Sequence, residues 1–134
     1  MGRARILVAD DHEEMRKTIV HLLKAQFDVV AAVADGPAFL DAVDRLKPDL
    51  CIVDISMPTM SGIEVAQRIK ATNARTKIVS LTLHDDSDFR AAALATGADG
   101  YVTKARMGGD LLPAIKAALA GRGRIQSSTE PVDD

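Results

Sequence analysis

Two adjacent carboxylates, Asp10 and Asp11, close the apolar run Ile6 to Ala9, and a third, Asp54, closes the run Leu50 to Val53. Thr82 follows Ile78 to Leu81, and Lys104 follows Tyr101, Val102 and Thr103. One Asp after a strand is explained as a helix N-cap, but a cap needs only one. Three carboxylates brought within several ångströms repel, so they must be protonated, spread apart or bridged by a cation. The donors on offer are oxygens, with no Cys or clustered His nearby, which favours Mg2+, with Mn2+ as the alternative, over zinc. Mg2+ keeps several waters, so two carboxylates and a backbone carbonyl suffice. A cation, the Thr82 hydroxyl and the Lys104 ammonium facing one carboxylate make a site for a phosphoryl group, and Asp54, central among these positions, is the candidate nucleophile for an aspartyl phosphate.

These residues converge only if the chain delivers them to one end of a sheet. Five short apolar segments rich in β-branched residues read as strands: Ile6 to Ala9, Val29 to Val33, Leu50 to Val53, Ile78 to Leu81, and Tyr101 with Val102. Between them, Met15, Ile19, Leu22 and Leu23 share one helical face, as do Phe39, Leu40, Val43 and Leu46, then Ile63, Ala66 and Ile69. A fourth helix is expected over Asp86 to Ala95 and a fifth over Asp110 to Ala120, and Pro48, Pro58, Gly62 and Asp99-Gly100 punctuate the pattern. Connections this short demand parallel strands and right-handed crossovers. The expected fold is therefore α/β, a doubly wound five-stranded parallel sheet; strand two ends in Ala34-Asp35-Gly36 with no comparable polar cluster, and if it is the edge strand the order is 2-1-3-4-5 and the other four strand ends converge. Its ligands sit outside the carboxyl ends of the strands, where strand order reverses. Residues 1–120 read as one domain and residues 121–134, GRGRIQSSTEPVDD, as a flexible tail or the start of a linker.

Charge narrows the function. With 17 Lys+Arg against 19 Asp+Glu, the chain has no basic field to hold a nucleic-acid backbone, so any DNA contact requires another domain. The single cysteine, Cys51, lies in an apolar run with no partner for a disulfide, which fits a reducing, cytoplasmic compartment. No stretch approaches a membrane span, and the N-terminus lacks the apolar core of a secretory signal. His12, His21 and His84 are scattered, and none reads as a metal ligand or a general base.

The stretches ILVADD, DLCIVDISMPTMSGIEVAQRI, KIVSLTLHDD and GADGYVTKA together resemble the CheY-like receiver domain of two-component response regulators, over about residues 4 to 120. The wording SLTLHDD and GADGYVTKA is most similar to the NarL/FixJ type. The resemblance implies that Asp54 accepts a phosphoryl group from a histidine kinase. It implies that Asp11 binds Mg2+ directly, Asp10 through water, and Ser56 through its backbone carbonyl. Thr82 and Lys104 would contact the phosphoryl oxygens. Thr82 would then open space for Tyr101 to swing inward, changing the surface of the fourth helix, fifth strand and fifth helix. Homodimers on phosphorylation and a helix-turn-helix DNA-binding domain beyond these 134 residues are further family expectations. Ala105 stands where many receivers have proline, and a cis bond there would cost about 2.5 to 4 kcal/mol, which leaves the Lys104-Ala105 geometry open.

Three other functions compete. A haloacid-dehalogenase-like phosphohydrolase also uses Asp, Mg2+, Thr or Ser and Lys, but its nucleophile lies in an early D-x-D motif and its acidic pair comes late, the reverse of the order here. A nucleotide-binding module would need a glycine-rich or Walker-type loop after the first strand, and none is present. A pseudo-receiver or single-domain receiver acting through protein contacts is the third, and the complete Asp, Thr and Lys set speaks against the pseudo-receiver.

Overall fold

The computed structural model describes residues 3–57, 60–72, 75–83, 87–95, 97–121 and 125–126. Pro58, His84, Asp85 and Asp86 lie outside them, as do 127–134 of the expected tail. Strands and helices alternate as β1 (Arg5–Ala9), α1 (Glu13–Leu23), β2 (Asp28–Val33), α2 (Gly36–Leu46), β3 (Leu50–Asp54), α3 (Gly62–Thr72), β4 (Lys77–Thr82), α4 (Ser87–Ala95), β5 (Gly100–Thr103) and α5 (Met107–Leu119). All pairings are parallel, and the order β2-β1-β3-β4-β5 is the expected one. A two-residue strand, β6 (Ile125–Gln126), adds a sixth member beside β5, where the sequence reading expected only a tail. Pairing of this kind is a backbone interaction, and two residues carry no side-chain period that could announce it.

The inner strands are apolar without alternation because helices cover both faces. Ile6, Val8, Leu50, Ile52, Val79, Leu81 and Val102 pack with Ile19 and Leu23 of α1 and Leu111 and Ile115 of α5. Leu7, Cys51, Val53 and Ile78 pack on the other face with Phe39 and Val43 of α2 and Val65 and Ile69 of α3. β2 is the open edge, with Asp28 and Ala32 exposed.

Local signals start and stop the helices. The Asp35 carboxylate accepts the Ala38 N–H (2.8 Å) to cap α2, and Pro37 occupies its first turn. That helix ends at Lys47, which takes a left-handed conformation (φ 49°) just before Pro48. Ser61 Oγ accepts the Glu64 N–H (3.2 Å) at the start of α3. α5 begins at Met107, earlier than the expected Asp110, because Gly108 and Gly109 are poor helix formers and hide its first turn from a propensity reading. It is entered through a turn of 3-10 helix at Lys104–Arg106.

Candidate functional site

Strand register brings the carboxylates together. Ala9 pairs with Val53, so Asp10 and Asp54, each the next residue, stand side by side just past the last pair between β1 and β3. Side chains alternate along a strand, so Asp10 continues the face of Ile6 and Val8, and Asp54 that of Leu50 and Ile52. β4 and β5 end in register as well, with Thr82 opposite Thr103, and Lys104 is the first residue past that pair. Asp10, Asp54, Thr82 and Lys104 are all buried, and Asp11 is partly exposed.

Lys104 Nζ lies 2.8 Å from Asp10 Oδ2 and 3.4 Å from Asp54 Oδ2, one ammonium between two carboxylates. Among the described residues there is no cis peptide bond. The 3-10 turn after Thr103 therefore delivers Lys104 to both carboxylates with alanine, not proline, at position 105. Asp10 Oδ1 accepts the His12 N–H (2.9 Å), and the Asp10 carbonyl accepts a hydrogen bond from Arg16 Nη1 (2.9 Å). Asp54 Oδ1 accepts the Ser56 N–H (3.1 Å), so Asp54 makes an Asx turn as well as lining the pocket. Asp10 Oδ2, Asp11 Oδ1 and Asp54 Oδ2 are buried and accept no hydrogen bond, their contacts being the ionic ones with Lys104 and His12.

Burial is the main cause that raises the Asp54 carboxyl above its ordinary value; the Ser56 N–H and the Lys104 charge pull it down, and Asp10 and Asp11 push it up. Two of the three carboxylates share one lysine, and one oxygen from each of the three lies within 4.8 Å of the others and of a ring nitrogen of His12. His12 escaped the sequence reading, which took no histidine as a ligand. Its only signal was its place directly after Asp11, and only the turn into α1 folds its Nδ1 back to 3.2 Å from Asp11 Oδ1.

Tyr101, the expected switch residue, lies inward in this structure. Its ring is already buried against Ile55 and Ala93, with the Arg90 guanidinium carbon 5.3 Å from the ring centroid. The ring fills the space between Ile55 and α4, with a cation on its face. Leu83, directly after Thr82, is 59% exposed.

The profile of the response regulator receiver domain matches residues 6–116. The chain belongs to that family. The receiver is 31% identical over 131 residues to the nitrate/nitrite response regulator protein NarL of Escherichia coli K12, a match covering 96% of this chain and 61% of that protein. It superposes with a TM-score of 0.86 on the crystal structure of a LuxR-family two-component response regulator from Aurantimonas sp. SI85-9A1, at 34% identity, covering 91% of this chain and 89% of the other. The signal receiver domain of the NarL response regulator of Mycobacterium tuberculosis superposes at 0.85, with 28% identity over 91% of this chain and all of that one. The receiver spans between 53% and 61% of the length of the curated relatives it matches. Among the described residues no helix is long and apolar enough to cross a membrane.

Proposed function

We propose that this receiver accepts a phosphoryl group from a histidine kinase onto Asp54, in a reaction that requires Mg2+, or Mn2+ in its place. The observation that carries the reading is the excess of carboxylate, buried Asp10 and Asp54 with partly exposed Asp11 against the Lys104 ammonium, at the carboxyl ends of the central strands. Three carboxylates converging on one point, each with a buried oxygen that accepts no hydrogen bond, fit a hard divalent cation. Asp11 and Asp54 would hold it directly, Asp10 through water, and Ser56 through its carbonyl. Bound there, the cation supplies positive charge to the carboxylates and to the entering phosphoryl oxygens.

The chain's own residues do the rest. Asp54 must be ionised to attack, and Lys104 favours that form against the burial that opposes it. A carboxylate oxygen of Asp54 forms the new O–P bond as the N–P bond of the donor phosphohistidine breaks. The electron pair of that bond returns to the donor imidazole. Lys104 and the Thr82 hydroxyl then bind phosphoryl oxygens, the first by charge and the second as a hydrogen-bond donor. The protein is the acceptor in this transfer and not a turnover enzyme.

The output is a change in the surface of α4, β5 and α5, starting from Thr82, with Tyr101 already inside. Similarity to the transcriptional regulatory protein DegU of Brevibacillus brevis supports control of transcription, through a DNA-binding domain that the family resemblance leads one to expect beyond the receiver, together with homodimers formed on phosphorylation. The test is incubation with a small-molecule phosphodonor and Mg2+, followed by intact-mass measurement. One phosphate on the wild type and none on Asp54→Asn is the expected result; an unmodified wild type would favour a pseudo-receiver acting by protein contacts alone.

A further inference from the structure

We infer that His12 is a fourth donor of the acidic pocket and widens its choice of cation from Mg2+ to borderline divalent ions such as Ni2+. The inference rests on reading the pocket as a cation site. His12 Nδ1 lies 3.2 Å from Asp11 Oδ1 and 3.6 Å from Asp10 Oδ1, and one donor atom from each of Asp10, Asp11, His12 and Asp54 falls within a 4.8 Å spread. A second feature points the same way: Asp54 Oδ2, on a side chain only 2% exposed, accepts no hydrogen bond, and its one cationic neighbour, Lys104 at 3.4 Å, is shared with Asp10.

The backbone holds the imidazole where it is. The His12 N–H donates to Asp10 Oδ1, and its extended conformation (φ −94°, ψ 116°) ends the loop and opens α1. The side chain makes no capping hydrogen bond and is 64% exposed, so the helix does not need it and it can turn about χ1 at little cost. Facing it across the pocket are Asp10, Asp11, Asp54 and the Lys104 ammonium, with Arg16 bonded to the Asp10 carbonyl.

Imidazole nitrogen is a poor ligand for Mg2+, which prefers oxygen and holds its waters, and a good one for Ni2+, Co2+ and Zn2+. The oxygens alone serve Mg2+; with His12 turned in, the donor set becomes three carboxylates and one nitrogen. Borderline cations then bind the same pocket and compete with Mg2+ for it.

The experiment is calorimetric titration of the whole chain with Mg2+ and, separately, with Ni2+, for the wild type, His12→Ala and His21→Ala, with thermal melts to confirm that each variant is folded. Wild-type Ni2+ binding should be displaced by excess Mg2+. His12→Ala should lower the ratio of Ni2+ to Mg2+ affinity by about tenfold or more, and His21→Ala should leave that ratio in place. A ratio unchanged by His12→Ala, or Ni2+ binding indifferent to Mg2+, overturns the role of His12 while the Mg2+ site stands. A wild type that binds no Mg2+ removes the cation reading itself, and this inference with it.

Discussion

The sheet carries a lysine–aspartate cluster at each end, buried at one and partly buried at the other, and the two differ in what surrounds them. At the carboxyl ends of the strands, Lys104 lies 2.8 Å from Asp10 and 3.4 Å from Asp54, with Asp11 beside them. At the amino ends of β4 and β5, Lys70 lies 2.9 Å from Asp99 and donates to the Thr76 carbonyl (2.9 Å). Asp99 Oδ2 also accepts the Ile78 N–H (2.9 Å), and the Asp99 N–H donates back to the Ile78 carbonyl (2.7 Å). That second cluster is complete: one cation, one anion, and partners for the polar atoms around them. Gly97, at φ +96°, makes the turn over which the Lys70 stem lies; a Cβ there would stand 3.3 Å from Lys70 Cγ. The first cluster has three anions and one cation. Complete pairing ties a structure together, whereas a charge deficit stores a demand for a ligand and is the mark of a site.

Several substitutions would break or sharpen this contrast. The largest effect is on phosphoryl acceptance: Asp54→Asn should abolish labelling by a small phosphodonor, while Lys70→Met should retain it, both read by intact mass. Next is Lys104→Met, which leaves Asp10 and Asp54 buried without their cation. It should cost about 3–5 kcal/mol in urea unfolding without divalent cation and recover part of that when Mg2+ is added. Lys70→Met should cost about 1–3 kcal/mol, by stranding the more exposed Asp99, and Mg2+ should not change the loss. Equal responses of the two lysine variants to Mg2+ would sink the distinction between the clusters.

Asp54→Asn should also stabilise the metal-free protein, by about 1 kcal/mol near pH 7, because it removes a buried charge. The sign with pH follows from the raised folded-state pKa of Asp54. The folded chain keeps this proton to higher pH than the unfolded chain does. Wild-type stability from this group is therefore full below the ordinary carboxylate range and falls as pH rises through the raised value. The advantage of Asp54→Asn should accordingly shrink as pH drops toward that range in paired urea titrations, and an advantage that grows on acidification would contradict the assignment. The smallest effect expected is at Cys51, fully buried in β3 with its thiol pushed well above the usual value by burial. A thiol reagent at neutral pH should leave the native protein unlabelled and modify it only in denaturant.

Much of this was legible beforehand because it is local. β-branched runs between helical periods mark β1 to β5, and each site residue follows the end of its run, so the positions of Asp10, Asp54, Thr82 and Lys104 could be placed at strand ends from the chain alone. Boundaries moved by a residue or so at Arg5, Asp28, Lys77 and Gly100, because pairing with a neighbouring strand extends an element past its apolar stretch. The first turn of α5 was hidden by Gly108 and Gly109.

The sequence by itself determined the alternation of elements and the carboxylates at the strand ends, since these follow from residue type and spacing; the strand order followed from it only on taking β2 as the edge strand. Only the tertiary structure decided that one lysine reaches two carboxylates through a trans 3-10 turn, that His12 folds back onto Asp11, that Tyr101 rests inside, and that β6 joins the sheet. Each of these is a contact set by how a loop turns or a neighbour packs, and such contacts leave no period in the chain from which they could be read.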